Sequence, residues 1–319
     1  MIELMRAAAA LVTLATLLLV LPQPIAATKQ VGVVSHVADL PAGLFAEGLA
    51  TTEDHLYVGT LSFSSPQGTI LVFDEDRAPD GAFTVPGFPF VGQVAFHDED
   101  LFAVACNAFA PSATGAVVRI DQETGVVSTV ATEPTCPNGL AIDRHGNMFV
   151  TNIFDGSVSK VTPSGTVSTF ASGGLLAAGP VDEFTLGPND IAFNKAGTAL
   201  FVSNAGKNTV VKIDVNNDGT AGAVTTFATG IPAPDGLAFD QKGNLYVCSP
   251  FTNSVWVVTP AGAAAPAPFD TSKESLNNPS NVAFLGHRLF ISNLALFTPG
   301  VLSKISVVRV QSPGLQDDS

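Results

Sequence analysis

A short phrase that returns along the whole chain constrains its fold more than any other feature. It consists of a polar or glycine pair, an aliphatic residue and Ala. The copies are Glu47-Gly48-Leu49-Ala50, Gly92-Gln93-Val94-Ala95, Asn138-Gly139-Leu140-Ala141, Asn189-Asp190-Ile191-Ala192, Asp235-Gly236-Leu237-Ala238 and Ser280-Asn281-Val282-Ala283. They start 45, 46, 51, 46 and 45 residues apart, the period of a unit that holds one small sheet. Each phrase leads into a first strand and a turn that often holds Gly. A second strand such as Leu56-Tyr57-Val58, Met148-Phe149-Val150 or Leu245-Tyr246-Val247 follows, and then a third and a fourth. Alternation and β-branched content favour strands, and no later window keeps a helical period. The expected fold is all-β: a six-bladed β-propeller with four-stranded blades.

The fourth strands share a theme, seen in Val127-Ser128-Thr129-Val130-Ala131 and Val167-Ser168-Thr169-Phe170-Ala171. The sixth unit ends after its third strand, near 303–308, whereas Val34-Ser35-His36-Val37-Ala38 carries the theme at the other end of the chain. An N-terminal strand near 31–38 is therefore expected to join the last blade and close the ring, which removes an open sheet edge.

Arg6 precedes an apolar run from Ala7 to Leu21 and then Pro22-Gln23-Pro24-Ile25-Ala26-Ala27. This reads as a secretory signal peptide over residues 1–27, with a retained signal anchor as the rival reading. Residues 28–319 would then form a single propeller domain, secreted or periplasmic, with no stable membrane insertion after cleavage. Fourteen Lys and Arg against 28 Asp and Glu, with no basic run, argue against a nucleic-acid partner. A monomer acting on a small molecule is expected. Cys106, Cys136 and Cys248 lack zinc or redox spacing. Cys248 reads as core, and pairing of Cys106 with Cys136 stays open.

In a propeller the innermost strands line a central channel, so the six phrases converge there. Their first residues, Glu47, Gly92, Asn138, Asn189, Asp235 and Ser280, offer carboxylate and amide oxygens without thiol, Lys or His. Oxygen donors of this kind suit Ca²⁺. The competing structural reading is turn chemistry, reinforced by Pro137, Pro188, Pro234 and Pro279, but it accounts poorly for Glu47.

These residues resemble the calcium-dependent six-bladed propeller hydrolases that include gluconolactonase/regucalcin, diisopropylfluorophosphatase and the paraoxonases. The resemblance implies that Glu47, Asn138, Asn189 and Asp235 hold a catalytic Ca²⁺. It gives Asp235 the role of nucleophile or general base, with Glu47 chiefly a ligand at the catalytic centre. Gln93, Ser280 and Asp190 become pocket-lining or supporting groups. The implied activity is hydrolysis of lactones, esters or phosphotriesters. The second-blade phrase holds Gly92-Gln93 where paraoxonases carry His-Gly, and no sugar-binding Arg element stands near 107–121. Phe109, Phe154 and Phe251 would favour a less polar substrate if they surround the mouth, although packing between blades is the default for each. Two alternatives remain: a non-catalytic propeller that binds a protein or glycan, and a strictosidine-synthase-like relative without the calcium set.

Asp214-Val215-Asn216-Asn217-Asp218-Gly219 has half of a calcium-loop spacing, but Thr225 stands at the twelfth place, so a hairpin turn is expected. Asn152, Asn204 and Asn293, which follow second strands, read as structural turn residues.

Overall fold

The computed structural model describes residues 32–315, apart from 75 and 134. The leader expected over residues 1–27 lies outside them. The described chain is all-β apart from single 3₁₀ turns at Gly174–Leu176, Ala205–Lys207 and Pro250–Thr252. No described helix is long and apolar enough to cross a membrane.

Six four-stranded units follow in chain order. Blade 1 runs from Leu44–Thr51 to Pro79–Val85, and blade 2 from Phe90–His97 to Val127–Glu133. A bridge between Leu61 and Phe90 merges these two into one sheet. Blades 3, 4 and 5 begin at Pro137–Ile142, Pro188–Phe193 and Leu237–Phe239. Blade 6 consists of Pro279–Leu285, Arg288–Asn293, Lys304–Arg309 and, as its outer strand, Ser35–Asp39. Ser35 lies opposite Val307 and Asp39 opposite Lys304. The N-terminal clasp therefore forms, but over Ser35–Asp39 alone, starting four residues later and ending one residue later than the expected span.

Each first strand touches the first strands of the blades on both sides, and blade 6 returns to blade 1. The buried apolar residues follow that cycle. Six clusters fill the six junctions between neighbouring blades, one cluster per junction. The Leu-aromatic-Val pattern of the second strands follows from strand alternation. Tyr57, Phe102, Phe149, Phe201, Tyr246 and Phe290 each join the cluster shared with the following blade. Their aliphatic neighbours, such as Leu56 and Val58, face the preceding blade. One strand thus serves two junctions.

The longer interval between the third and fourth phrases holds a hairpin, Gly179–Val181 paired with Phe184–Leu186. Residues 214–219 form the turn between Thr209–Val215 and Ala221–Thr229, with Asn216 N–H donating to Thr220 O at 2.9 Å. Asn152, Asn204 and Asn293, expected as turn residues, are the fully buried last residues of second strands and act as ties. Asn204 Nδ2, for example, donates to Leu175 O at 2.9 Å and Ala177 O at 3.2 Å.

Candidate functional site

The phrases break the regular ladder of the first strands. Pairing slips between Ala46 and Leu49, Val91 and Val94, Pro137 and Leu140, and Pro188 and Ile191. Such an irregularity bends a strand and re-aims its side chains. In blade 5 the strand begins only at Leu237, just after Asp235 and Gly236.

The freed backbone groups are taken up by a second-strand hydroxyl. Thr151 Oγ1 accepts from Gly139 N–H at 2.7 Å and donates to Asn189 O of the next blade. Ser203 Oγ accepts from Asp190 N–H at 2.8 Å. Ser292 Oγ accepts from Asn281 N–H at 2.8 Å and donates to Glu47 O at 2.7 Å. In blade 5 the same strand position is Cys248, and Gly236 N–H reaches Ser280 O directly at 2.7 Å. Thr151 and Ser292 thereby tie neighbouring phrases together, while Ser203 serves the phrase of its own blade. Their signal was in the sequence, as Thr or Ser before the terminal Asn of three second strands, but it reads as ordinary strand composition until the blades are assembled.

The first positions come together around the axis. Asn138 Nδ2 lies 3.4 Å from Glu47 Oε1, and Glu47, Asn189 and Asp235 are buried while Asn138 is half-buried. Ser280 is fully buried, with Oγ 2.9 Å from Ala46 O and 2.8 Å from Ser292 Oγ. Its hydroxyl ties blade 6 to blade 1.

The second positions alternate: Gly48, Gly139 and Gly236 in odd blades, Gln93, Asp190 and Asn281 in even ones. A Cβ on Gly139 would stand 2.7 Å from Asp190 Cα, and one on Gly236 would stand 2.4 Å from Asn281 Cα. Glycine in one blade therefore makes room for the side chain of the next. The three large side chains meet: Asn281 Nδ2 is 2.9 Å from Gln93 Oε1 and 3.4 Å from Asp190 Oδ2. Asp190 also accepts from Ile191 N–H and Leu237 N–H, both at 2.8 Å. Asn281, overlooked as a site residue in the sequence reading, is what links Gln93 to Asp190.

Burial, then the charge of Asp190, raises the Glu47 carboxyl to about 7, against hydrogen bonds from Asn138 and Ser280. Burial also raises Asp190 to about 7. Asp235 is pushed well up by burial, then by the charges of Glu47 and Asp190. The Cys248 thiol is raised by burial and by the same three acids. None of the ion pairs among the described residues involves these carboxyls.

Three buried oxygens of the phrases, Glu47 Oε2, Asn189 Oδ1 and Asn281 Oδ1, have no hydrogen-bond partner, a costly state for acceptors. No described group of three or more His, Cys, Asp or Glu could hold a metal ion. A cation here would need the amide oxygens as well as the acids. Glu47 and Asn189, both in the expected donor set, each supply one of the orphaned oxygens, so the residues fit a hard cation. A separate groove beside Leu40, Pro41, Leu71, Phe73 and Leu302 lies at the outer edge between the clasp and blade 1, and no candidate site residue lines it.

Residues 177–293 match the family model described as the SMP-30/Gluconolactonase/LRE-like region. That stretch contains Asn189 and Asp235 but neither Glu47 nor Asn138. Solved structures with the same fold extend over most of the chain. A protein described as a gluconolactonase superposes with a TM-score of 0.67 at 16% identity, over 89% of this chain and 94% of its own. A luciferin-regenerating enzyme gives 0.65 at 14%, over 89% and 97%. The gluconolactonase of Xanthomonas campestris gives 0.62 at 18%, over 87% and 89%. No curated protein matches by sequence. The chain is thus a β-propeller of the gluconolactonase fold type.

Proposed function

We propose that this protein is a calcium-dependent hydrolase of lactones, esters or phosphotriesters, with its site at the axial end where the phrases begin. One observation carries the reading: three acids share a buried volume without a cationic partner, while Glu47 Oε2 and Asn189 Oδ1 are buried and unpaired. The likeness to gluconolactonases supports hydrolysis as the reaction class.

Glu47, Asn138, Asn189 and Asp235 would hold the Ca²⁺. When bound, Ca²⁺ supplies a Lewis acid for the substrate carbonyl or phosphoryl oxygen and offsets the carboxylate charges. Asp235 supplies an oxygen nucleophile, or takes the proton from an attacking water. Asp190, held by two backbone N–H groups and Asn281, is a positioning residue. Gln93 is anchored by its Nε2, which donates to Leu49 O at 3.0 Å.

Glu47→Gln and Asp235→Asn are each expected to abolish the rise in melting temperature on adding calcium after chelation, and to lower kcat/KM for aryl esters and lactones by at least about a hundredfold. Both variants retaining wild-type turnover would overturn the assignment. A calcium response without turnover of any lactone, aryl ester or phosphotriester would leave a binding module instead.

A further inference from the structure

Six apolar clusters account for the six blade junctions; a seventh belongs to none of them. It contains Phe90, Cys106, Cys136, Ile153, Leu186 and Ala233, with Leu61 and Phe109 packed against it. These residues come from five consecutive blades and the segments that enter them. Second strands end, and first strands begin, at one axial end, so residues at those chain positions form an arc around the channel mouth. Along the chain the arc runs directly into the site: Cys136 stands two residues before Asn138, Ala233 two before Asp235 and Leu186 three before Asn189. It is covalently pinned by a disulfide between Cys106 and Cys136, whose Cα atoms are 5.0 Å apart.

Aromatic rings extend the arc outward. Phe63 meets Phe90 edge-on at 5.2 Å, and Phe109 meets Phe184 at 5.7 Å. Phe251 and Phe297, at 5.3 Å, occupy the sector of blades 5 and 6. Phe63, Phe184 and Phe297 are 58%, 41% and 50% exposed. Each stands in a different connection at this end: Phe63 within 62–67, Phe184 on the hairpin strand Phe184–Leu186, and Phe297 within 295–300. Junction packing does not require rings there, and exposed apolar side chains grouped beside a polar pocket mark a ligand surface.

We infer that this collar is the acyl- or aryl-binding part of the site, and that the substrates are lactones or esters bearing an extended apolar group. Phe63 and Phe184 set chain-length preference. The ligand has to present an oxygen to the buried acids and an apolar tail to the rim, a combination that a polyhydroxylated sugar lactone lacks. The inference rests on the hydrolase reading, and its test is chosen to separate the two.

Methyl ketones from 2-butanone to 2-undecanone carry the oxygen and the tail but no bond to hydrolyse. Titrated calorimetrically into calcium-loaded protein, they are expected to bind about fourfold more tightly per added methylene until the rim is filled. The Phe63→Ser/Phe184→Ser variant, which changes two exposed side chains, should flatten that dependence. In parallel, kcat/KM for p-nitrophenyl esters should climb with acyl length in the wild type and lose that slope in the variant. Ketone affinity independent of length in the wild type overturns the inference, even if short esters are turned over. So does a slope that survives in a folded variant, and so does binding of phosphatidylcholine vesicles without any ketone response. A length-dependent ketone series without ester turnover supports the collar and overturns only the hydrolase.

Discussion

Glu47 and Asp190 show how the ring's geometry works against its own carboxyls. Both are raised to about 7, chiefly by burial. A carboxyl with a raised folded value favours the fold most below the unfolded value near 4, and that contribution is lost as pH rises through about 7. In chelator, stability should therefore fall by on the order of 3 kcal/mol for the first group to ionise as pH rises from about 5 to about 8. Denaturant midpoints at both ends of that range check this, and a midpoint that climbs with pH would refute the acid cluster. Glu47, Asn138, Asn189 and Asp235 were legible in the sequence because each opens a phrase that returns every 45 to 51 residues. Asn281 was not legible: it occupies the second place of its phrase, where Gly or Asp also occur. Its role appears only when blades 2, 4 and 6 bring Gln93, Asp190 and Asn281 together.

Between elements, the disulfide ties the end of the second strand of blade 2 to the residue before the first strand of blade 3. Its cysteines are 30 residues apart. A loop of that length restricts the unfolded chain enough to contribute about 3–4 kcal/mol. Cys106→Ser/Cys136→Ser should lower the unfolding free energy by about that amount, read from urea melts under oxidising conditions. An unchanged midpoint would show that the link does not form in solution. Sequence spacing could not choose this pairing, because closeness depends on the phrase of blade 3 lying beside the strand end of blade 2. The strands themselves were legible, since alternation and the repeated Leu-aromatic-Val motif report a blade packed on both faces.

For the whole molecule, the period specified the ring and the missing fourth strand specified its closure. Val34 and Leu40, which flank the clasp strand, are fully buried, and Val34 N–H donates to Asp270 O at 2.9 Å. Deleting residues 28–40 should remove the cooperative, full-amplitude melt, measured by circular dichroism; a normal melt would mean that the ring closes without its clasp. The collar was less legible, because Phe63, Phe184 and Phe297 lie in connections of irregular length, Phe184 on a hairpin outside the blade repeat, whose convergence no periodicity reports. The seam between Ser35–Asp39 and Lys304–Arg309 also has a mechanical sense. Ser35 sits opposite Val307 and Asp39 opposite Lys304, so both strands leave the seam toward the chain ends from the same side. Tension applied through the two ends would load its hydrogen bonds one after another and peel the ring open like a zipper. The same seam is held by all its bonds at once against loads that slide one strand along the other.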